Sequence, residues 1–482
     1  MPSAGIDATS WDSAAEVVIV GGGCAGAAAA IAATDAGCST LILEASEAGG
    51  GNCRYAGGFL FDAPEGVLVE HLDALCFGRT DRVVLEAYAG GLHALDDWLA
   101  GLGAETVAFE PPPGRLPASF PSWPSFPAAQ TIGYRVVSGG EGRRGEALWL
   151  VLEKALLARE VEMRTRVRAR ELVRDADGVV SGVIAETAAG ERVAIRAERG
   201  VVLACGGFEA ERSLTEAFLP LGPTWPVGHS ANRGDGLTMA VSAGAALWHM
   251  YGFFGWFAFR TAEYPVAFPI DFFAPSFLFV DADGHRFADE TGFEVHDRLR
   301  ALSNYRPDRD NRPRLPSFAV FDESARLAGP LNGLLGTPNS YSWSTDNSAE
   351  VERGWIARGE SAAELAHAAG LPPDTLNATL ETHNAAARAG HDAQFGRADA
   401  TLAVLEPPLY AIETWPGVAG TTGGPRHDAL ARVLSTEGSP IAGLYAAGAV
   451  SSVWGYLTEH GGGLTDALVF GRIAGESAAG RR

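Results

Sequence analysis

The stretch from Glu16 to Glu44 constrains the fold of this chain more than any other. EVVIV is a short apolar run rich in β-branched residues, which is typical of a buried parallel strand. It leads directly into GGGCAG, where Gly21, Gly23 and Gly26 have the G-x-G-x-x-G spacing. AAAAIAATDAG then predicts a helix of small residues, and CSTLILE predicts a second strand that ends on Glu44. In this order the segments predict a βαβ unit that binds a dinucleotide.

The glycines and the acid of this unit each have a physical reason. Gly21 makes the tight turn, Gly23 lets a pyrophosphate approach the backbone, and Gly26 lets the helix pack closely on the strand. The positive N-terminus of the helix faces the phosphates. Glu44 can accept hydrogen bonds from the ribose hydroxyls of an adenosine.

Length and charge limit the other partners. The chain has 482 residues, enough for two or three domains with their own cores. Its net charge of −22 argues against nucleic acid and anionic membranes as partners. No run approaches about 18 apolar residues, so no membrane span is predicted, and the opening MPSAGIDATSW predicts a polar tail rather than a leader. We therefore expect a cytoplasmic protein.

The five cysteines, at positions 24, 38, 53, 76 and 205, form no C-x-x-C pair and no haem motif. Most fall in predicted strands, helices or glycine-rich turns, so we expect reduced, buried thiols. The sequence also lacks G-x-S-x-G, H-E-x-x-H and G-x-x-x-x-G-K-[ST], and it predicts no metal site.

The segments after Glu44 indicate which dinucleotide is bound. In ASEAGGGNCRYAGG two glycine clusters flank Asn52 and offer backbone N–H groups to a large flat ligand, although a plain glycine loop is the alternative. Residues 161–200 alternate as three antiparallel strands, and VVLACGGF predicts a buried strand that ends at Gly206. One dinucleotide motif with such a meander is typical of glutathione-reductase-type flavoproteins. Because a second fingerprint and a C-x-x-x-x-C pair are missing, the inferred cofactor is FAD rather than NAD.

The rest of the chain predicts an inserted region and a return to the first sheet. Residues 65–103 predict two amphipathic helices, and Asp235 heads another helix. The aromatic residues of 248–280 suit either a core or the wall of an apolar pocket. PLYAIETWPGVAGTTGG and SPIAGLYAAGAV predict strands that return to the first sheet, and GGGLTDALVFGRIAG predicts a glycine turn and a closing helix.

The predicted fold class is α/β. A glutathione-reductase-type Rossmann FAD domain is expected to comprise residues 1–240 and 395–482. Residues 241–394 are expected to form an inserted α+β substrate-capping domain whose hinge motion admits substrate.

These motifs together resemble the fumarate reductase and 3-ketosteroid 1-dehydrogenase flavoproteins, a superfamily that includes tricarballylate dehydrogenase and urocanate reductase. The segments quoted above occur in the order found there, and HRFADE resembles the R-F-x-N/D-E signature of the capping domain. The resemblance implies FAD, a small-molecule substrate, an unidentified electron acceptor, and transfer of two hydrogens across a carbon–carbon bond beside a carbonyl or carboxylate. It also implies that the helix starting at 462–465 points its positive N-terminus at the flavin pyrimidine edge.

Spacing and resemblance together place a set of small and polar residues at the FAD. The set comprises Gly21, Gly23, Cys24, Ala25, Gly26, Glu44, Ala45, Gly50, Gly51, Asn52, Cys53, Ala56, Gly57, Gly58, Val167, Ala204, Cys205, Gly206, Asp235, Gly448, Ala449, Gly463, Leu464 and Thr465. Ala449 stands where the family usually has Glu, which is expected to loosen a ribityl contact without abolishing FAD binding.

Departures from the fumarate reductase pattern favour an apolar, ketone-like substrate. The proton-donating Arg of those enzymes, seven residues after the signature Phe, is replaced by Glu294. Their substrate-binding Arg is replaced by Thr458, and their His before the T-x-G-G turn by Gly420. The residues that bind a C4 dicarboxylate in those enzymes are therefore missing at these positions. Ketosteroid dehydrogenases instead place a Tyr near Tyr456 and a backbone N–H at Gly461 to hold a ketone oxygen.

The resulting hypothesis is α,β-desaturation of a carbonyl compound, or the reverse ene reduction. Tyr456 and Gly461 would stabilise an enolate, and Glu294 would take the α-proton if burial among aromatic rings raises its pKa. A surface or salt-bridging role beside Arg298 is an equal alternative for Glu294.

Other candidates support competing hypotheses. His296 and His460 are secondary catalytic candidates, and each can instead be structural. Arg260 can meet a substrate carboxylate or pair with a local acid. Arg260, Arg286 and a histidine together support a second hypothesis, an FAD-dependent dehydrogenase or reductase of a polar carboxylic acid similar to tricarballylate dehydrogenase. A third hypothesis is a non-catalytic flavin redox module.

Overall fold

The structure is a computed structural model that describes residues 10–64, 66–110, 122–138, 144–292, 294, 296–303, 314–333 and 338–480. The predicted N-terminal tail therefore lies mostly outside the described residues. The strands are β1 (Ser13–Val20), β2 (Thr40–Leu43), β3 (Leu60–Asp62), β4 (Thr106–Ala108), β5 (Gly133–Val137), β6 (Glu162–Arg164), β7 (Val167–Arg174), β8 (Val180–Thr187), β9 (Arg192–Leu203), β10 (Trp225–Pro226), β11 (Leu247–Trp248), β12 (Phe253–Phe259), β13 (Phe268–Pro269), β14 (Phe277–Val280), β15 (Ser317–Asp322), β16 (Ile356–Gly359), β17 (Leu409–Thr421), β18 (Gly424–Pro425), β19 (Arg432–Leu434) and β20 (Pro440–Ala446). The helices are α1 (Cys24–Asp35), α2 (Leu68–Cys76), α3 (Arg82–His93), α4 (Leu95–Gly101), α5 (Arg144–Ala158), α6 (Arg212–Phe218), α7 (Asp235–Ser242), α8 (Glu323–Leu327), α9 (Ser348–Glu352), α10 (Ala362–Ala369), α11 (Pro373–Ala389) and α12 (Gly462–Ala478).

The first sheet contains the predicted βαβ unit. Its strand order is β19-β20-β9-β1-β2-β6, and β1 pairs in parallel with both β2 and β9. Val17 and Ile19 pack in one core with α1 and α12, whereas Val18 and Val20 pack in a second core with α7. Because both faces of β1 are covered, its sequence is an almost unbroken apolar run.

Helices α1 and α12 lie against each other at close range. A Cβ atom added at Gly475 would lie 2.2 Å from the carbonyl oxygen of Ala29, and one at Gly471 would lie 2.5 Å from that of Ala25. The small residues of both helices permit this approach, which brings their glycine-rich N-termini to the same side of the sheet.

The antiparallel meander follows the prediction with one difference. β7, β8 and β9 pair in sequence, and the second half of β9 continues in parallel beside β1 and β20. The sequence predicted a meander strand and a separate buried strand after it. They form one strand of 12 residues, because no turn interrupts its hydrogen bonding.

A second sheet corrects the predicted return of the chain. Its order is β13-β12-β17-β15-β14, and β10 and β16 also pair with β17. The segment PLYAIETWPGVAGTT, expected in the first sheet, is β17 and lies at the centre of this second sheet. The predicted return of this segment to the first sheet was therefore wrong. SPIAGLYA does return, as β20 beside β9.

The aromatic stretch 248–280 serves both of its predicted roles. Phe257, Phe268 and Phe279 are buried in the core of the second sheet. Phe254 and Trp256, which lie on the same strand β12, line the cavity described below.

Residues 65–103 form three helices rather than the two predicted. Helix α3 ends at His93 and α4 begins at Leu95, so the apolar pattern continues across the break. The helix headed by Asp235 is present as α7. Among the described residues, no helix combines the length and apolar character needed to cross a bilayer.

Candidate active site

A cavity of about 870 Å³ lies where the ends of the first sheet meet the second sheet. This volume is near the upper end of the range of about 300–1,000 Å³ for small-molecule sites. The residues predicted at the FAD that line the cavity are Gly21, Gly23, Cys24, Ala25, Glu44, Ala45, Gly50, Gly51, Asn52, Cys53, Ala56, Gly57, Gly58, Val167, Ala204, Cys205, Gly206, Asp235, Gly448, Ala449, Gly463 and Leu464.

Two predicted cofactor residues do not line the cavity. A Cβ atom at Gly26 would lie 1.9 Å from the carbonyl oxygen of Gly21, so Gly26 serves the packing of helix on turn. The Thr465 hydroxyl donates to the carbonyl oxygen of Gly461 at 2.6 Å and accepts from the N–H of Phe61 at 3.1 Å. Both residues support the cavity wall from behind.

Two helix N-termini face the cavity and fit the opposite parts of a flavin dinucleotide. Gly23 caps α1 and Gly461 caps α12, and neither helix has a side-chain cap. The space in front of both is open, because a Cβ atom at Gly23 would meet its nearest neighbour at 3.8 Å and one at Gly463 at 3.9 Å. Uncapped N–H groups beside open space suit a pyrophosphate at α1 and the flavin edge at α12.

The end of the cavity at which the adenosine is expected contains the charged residues Glu44, Arg168 and Asp235. The carboxylate of Glu44 accepts hydrogen bonds from the N–H groups of Gly22 at 2.8 Å and Ser46 at 2.7 Å. Arg168, whose partner is Asp235, lines the same end. His229, which the sequence gave no reason to select, also lines the cavity, and burial lowers its pKa.

The cysteines differ from the prediction in one pair. Cys24 and Cys53 are paired as a disulfide, with Cα atoms 6.1 Å apart, so the expectation of reduced thiols was wrong for these two. Their separation of 29 residues gave no local signal, because only the fold brings the start of α1 beside residues 51–55. Cys38, Cys76 and Cys205 keep their thiol groups. Burial raises the pKa of Cys76 to about 11 and that of Cys205 to about 12.

Glu294, His296 and His460 form a cluster at the flavin end of the cavity. Oε1 of Glu294 lies 2.8 Å from Nδ1 of His296 and 3.3 Å from Nδ1 of His460. Its Oε2 accepts from the backbone N–H of His296 at 2.7 Å. Both histidines line the cavity, whereas the Glu294 side chain is only 1% exposed and lies behind them. Glu294 thus contacts the two histidines, and Arg298, its predicted partner, pairs with Asp271 instead.

The ring of His460 is held in a neutral state by its surroundings. Burial first, and then the neighbouring His296, keep the pKa of His460 well below its ordinary value. Ser122 Oγ lies 2.5 Å from its Nδ1. Phe59 and Tyr134 pack edge-on against the His460 ring, and Trp256 packs edge-on against His296 with ring centroids 4.9 Å apart.

A buried carboxylate that sequence reasoning missed lies next to the cluster. Glu459 accepts from the Tyr134 hydroxyl at 2.6 Å and from the Ser122 N–H at 3.1 Å, and it lies 3.1 Å from Nε2 of His71. These partners come from three distant parts of the chain, so no local motif could have indicated them. The network fixes the loop that precedes α12.

Tyr456 and Arg260, both predicted from the sequence as catalytic candidates, are not among the described residues that line the cavity. The Tyr456 ring contacts Phe77, with centroids 5.2 Å apart, and the guanidinium of Arg300, at 4.3 Å. Arg260 stacks on Trp225 and Trp415 at 4.5 and 4.8 Å.

The arginines that the polar-acid hypothesis requires for substrate binding also contact other residues of the protein. Arg286 is buried between Glu290, at 2.7 Å, and Asp392, at 2.8 Å. Among the described residues that line the cavity, Arg168 is the only arginine or lysine, and it pairs with Asp235. The described wall therefore offers no unpaired cation to a carboxylate substrate.

Two buried acids near the cofactor cavity predict a pH-dependent stability. Burial raises the pKa of Asp466, which lies in α12, and that of Glu209 to about 7 each. Both carboxyls titrate near 4 in an unfolded chain. Their contribution to the stability of the cofactor-free fold is thus complete below pH 4 and is lost as the pH rises towards 7.

Asn cannot ionise in this pH range. The free energy of unfolding of Asp466→Asn, taken relative to that of the unchanged chain, should therefore be larger at pH 8 than at pH 5, by on the order of 2 kcal/mol. Denaturant unfolding at several pH values would measure this difference. Glu352→Gln, at an exposed position, serves as the control. Its free energy of unfolding should differ from that of the unchanged chain by the same amount at every pH. A pH-independent effect of Asp466→Asn would contradict the raised pKa.

A family described as FAD binding domain matches residues 16–464. A 3-oxosteroid 1-dehydrogenase of Mycobacterium tuberculosis is 34% identical over 337 residues, which are 62% of this chain and 56% of that relative. A 4-oxocyclohexanecarboxylate 2-dehydrogenase of Sinomonas cyclohexanicum is 31% identical over 373 residues, which are 70% of this chain and 61% of the relative. The chain thus spans little more than half the length of these relatives.

Solved structures share the architecture. The 3-ketosteroid delta1-dehydrogenase from Sterolibacterium denitrificans, in complex with 1,4-androstadiene-3,17-dione, has a TM-score of 0.82 at 22% identity and covers 97% of this chain and 100% of its own. The open conformation of a flavocytochrome c3 fumarate reductase has a TM-score of 0.74 at 24% identity, covering 98% of this chain and 79% of its own. At these identities the likeness shows the fold, an α/β FAD domain with a capping region.

Proposed function

We propose, because this chain belongs to the FAD binding domain family of flavoproteins, that it desaturates the carbon–carbon bond beside a carbonyl group, or catalyses the reverse ene reduction. The substrate proposed is an apolar, ketone-like molecule. The observation that carries the proposal is the cluster of Glu294, His296 and His460, set in an aromatic wall beside the N-terminus of α12.

His296 is the proposed base, with Glu294 as its positioning residue. The Nδ1–H of His296 donates to Oε1 of Glu294 at 2.8 Å, which leaves Nε2, on the far edge of the ring, to accept a proton. The buried carboxylate stabilises the imidazolium that forms. This assignment revises the sequence hypothesis, in which Glu294 itself meets the substrate, because the carboxylate lies behind the two rings.

The start of α12 is proposed to hold the carbonyl oxygen. Among the described residues, the N–H group of Gly461 donates to no other group, and Gly461 lines the cavity. Backbone donors at a helix N-terminus stabilise the negative charge that develops on an enolate oxygen. Bound FAD supplies hydride exchange with the adjacent carbon. Phe254 and Trp256 exclude water from this end of the cavity.

The two alternative hypotheses have less support. A polar-acid substrate needs a cation, and the described cavity wall provides only Arg168, which is paired at the adenosine end. A purely non-catalytic flavin module does not account for a histidine pair oriented by a buried carboxylate at the flavin end. The second relative named above acts on a molecule that carries both a ketone and a carboxylate, so a carboxylate remote from the reacting carbon is compatible with the proposal.

Anaerobic mixing with a panel of substrates tests the proposed function. Saturated cyclic ketones, from monocyclic to steroidal size, should bleach the flavin absorbance of the purified protein. Tricarballylate and succinate should leave it unchanged. Bleaching by the polyacids alone would overturn the ketone assignment, and the absence of bleaching by every compound, in a protein whose flavin dithionite reduces, would favour the non-catalytic module.

A further inference from the structure

The cluster at the flavin end of the cavity has a second chemical capacity. Glu294, His296 and His460 each present one ligand atom, and these three atoms lie within 4.8 Å of one another. We infer that the cluster binds a divalent transition-metal ion of the Zn²⁺ type, and that bound metal switches the enzyme off.

The set of donor atoms suits zinc. Zn²⁺ takes imidazole nitrogens and carboxylate oxygens at about 2.0–2.2 Å, in sites of three or four protein ligands. Oε1 of Glu294 already lies 2.8 Å from Nδ1 of His296 and 3.3 Å from Nδ1 of His460. An ion placed among these atoms binds the imidazole nitrogen in place of its hydrogen, and the single ring proton of the neutral His296 moves from Nδ1 to Nε2. Magnesium and calcium prefer oxygen ligands alone and are not expected to compete.

The surrounding residues hold the three ligands in place. The backbone N–H of His296 holds Oε2 of Glu294 at 2.7 Å and leaves Oε1 for the ion. Trp256 fixes the ring plane of His296, and Phe59 and Tyr134 fix that of His460. Fixed ligand orientations raise metal affinity, because little ordering entropy is lost on binding. The hydroxyl of Ser122, at 2.5 Å from Nδ1 of His460, gives up that hydrogen bond when the ion binds and still accepts from the backbone N–H of His460 at 3.2 Å.

Three protein ligands leave the fourth position of a tetrahedral ion free. Both histidines line the cavity, so this position opens into it and can be filled by water. A metal ion on Nδ1 of His296 forces the remaining ring proton onto Nε2, and the ring can no longer accept a proton from substrate. This inhibitory consequence rests on the proposed function, whereas the binding of the ion does not.

Metal binding is measured on the FAD-loaded protein without substrate. Titration calorimetry with ZnCl₂, and metal analysis after dialysis, should find one Zn²⁺ per chain that a chelator removes. His296→Ala and His460→Ala should each weaken binding by roughly tenfold or more, and Glu294→Gln should also weaken it. His367→Ala, an exposed histidine on α10, is the matched control and should bind as the unchanged protein does. Retained FAD absorbance shows that each variant is folded.

The outcomes separate the metal site from the proposed function. A protein that keeps no Zn²⁺ after dialysis, or variants that all bind equally well, would overturn the metal inference. Zn²⁺ should also stop ketone-dependent bleaching, with recovery on adding chelator. If Zn²⁺ binds at the cluster but no ketone bleaches the flavin, the metal site stands and the proposed function fails. If ketones bleach the flavin and Zn²⁺ binds without any effect on that rate, the inhibitory role is excluded.

Discussion

Replacing His296 by alanine should slow the anaerobic bleaching of the flavin by a saturated ketone by roughly a hundredfold or more, which is the contribution of a positioned general base. FAD should remain bound, because His296 is not one of the residues predicted to hold the cofactor. Its ring contacts are with Trp256, Phe254 and His460. Stopped-flow spectroscopy of the loaded enzyme measures the rate, and the flavin-to-protein absorbance ratio measures cofactor occupancy. His367→Ala is the control and should react at the unchanged rate.

A second variant distinguishes the base from its positioning residue. Glu294→Gln keeps a hydrogen-bond acceptor for Nδ1 but removes the negative charge that stabilises the imidazolium. It should therefore slow bleaching less than His296→Ala does, and it should shift the pH profile of the rate. If Glu294→Gln abolishes the reaction while His296→Ala leaves it intact, Glu294 is the direct base, as the sequence hypothesis had it.

The cofactor half of the site could be predicted from the sequence because its signals are local. The strand, the glycine turn, the helix and Glu44 are contiguous, and their spacing alone sets the turn and the phosphate-facing helix end. The start of α12 could be predicted in the same way, because three consecutive glycines lead into an apolar helix. In each case the residues that act together are also neighbours in the chain.

Strand partners and the catalytic half depend on distant residues, and there the sequence was less informative. The apolar pattern of β17 fits either sheet, and only its pairing with β12 and β15 places it in the second. Glu294 was selected from the sequence by its position after HRFADE, but its contact with His460 joins residues 166 positions apart. Tyr456 and His460 lie four residues apart on one loop, and periodicity cannot tell which of them faces the cavity.

Replacing two glycines of the first motif by alanine should have different effects, one on the stability of the fold and the other on FAD affinity. Gly26→Ala is expected to destabilise the fold by on the order of 3 kcal/mol. Its Cβ atom would lie 1.9 Å from the backbone oxygen of Gly21 and 3.3 Å from Ile19, and backbone atoms in a buried turn cannot move aside cheaply. Thermal or denaturant unfolding of the cofactor-free protein measures this loss.

Gly23→Ala is the matched partner of that variant. Gly23 has φ −85°, which alanine adopts without strain, and its Cβ atom would meet only the carbonyl oxygen of Gly50 at 3.8 Å. The cofactor-free protein should therefore keep its stability. The methyl group nevertheless occupies the space in front of the α1 N-terminus, where the pyrophosphate is expected to approach, so FAD affinity measured by fluorescence titration should fall by roughly tenfold or more. Equal FAD affinity in Gly23→Ala and the unchanged chain would contradict a dinucleotide at the start of α1, because Gly23 lines the cavity and the methyl group has only the Gly50 oxygen within 4 Å.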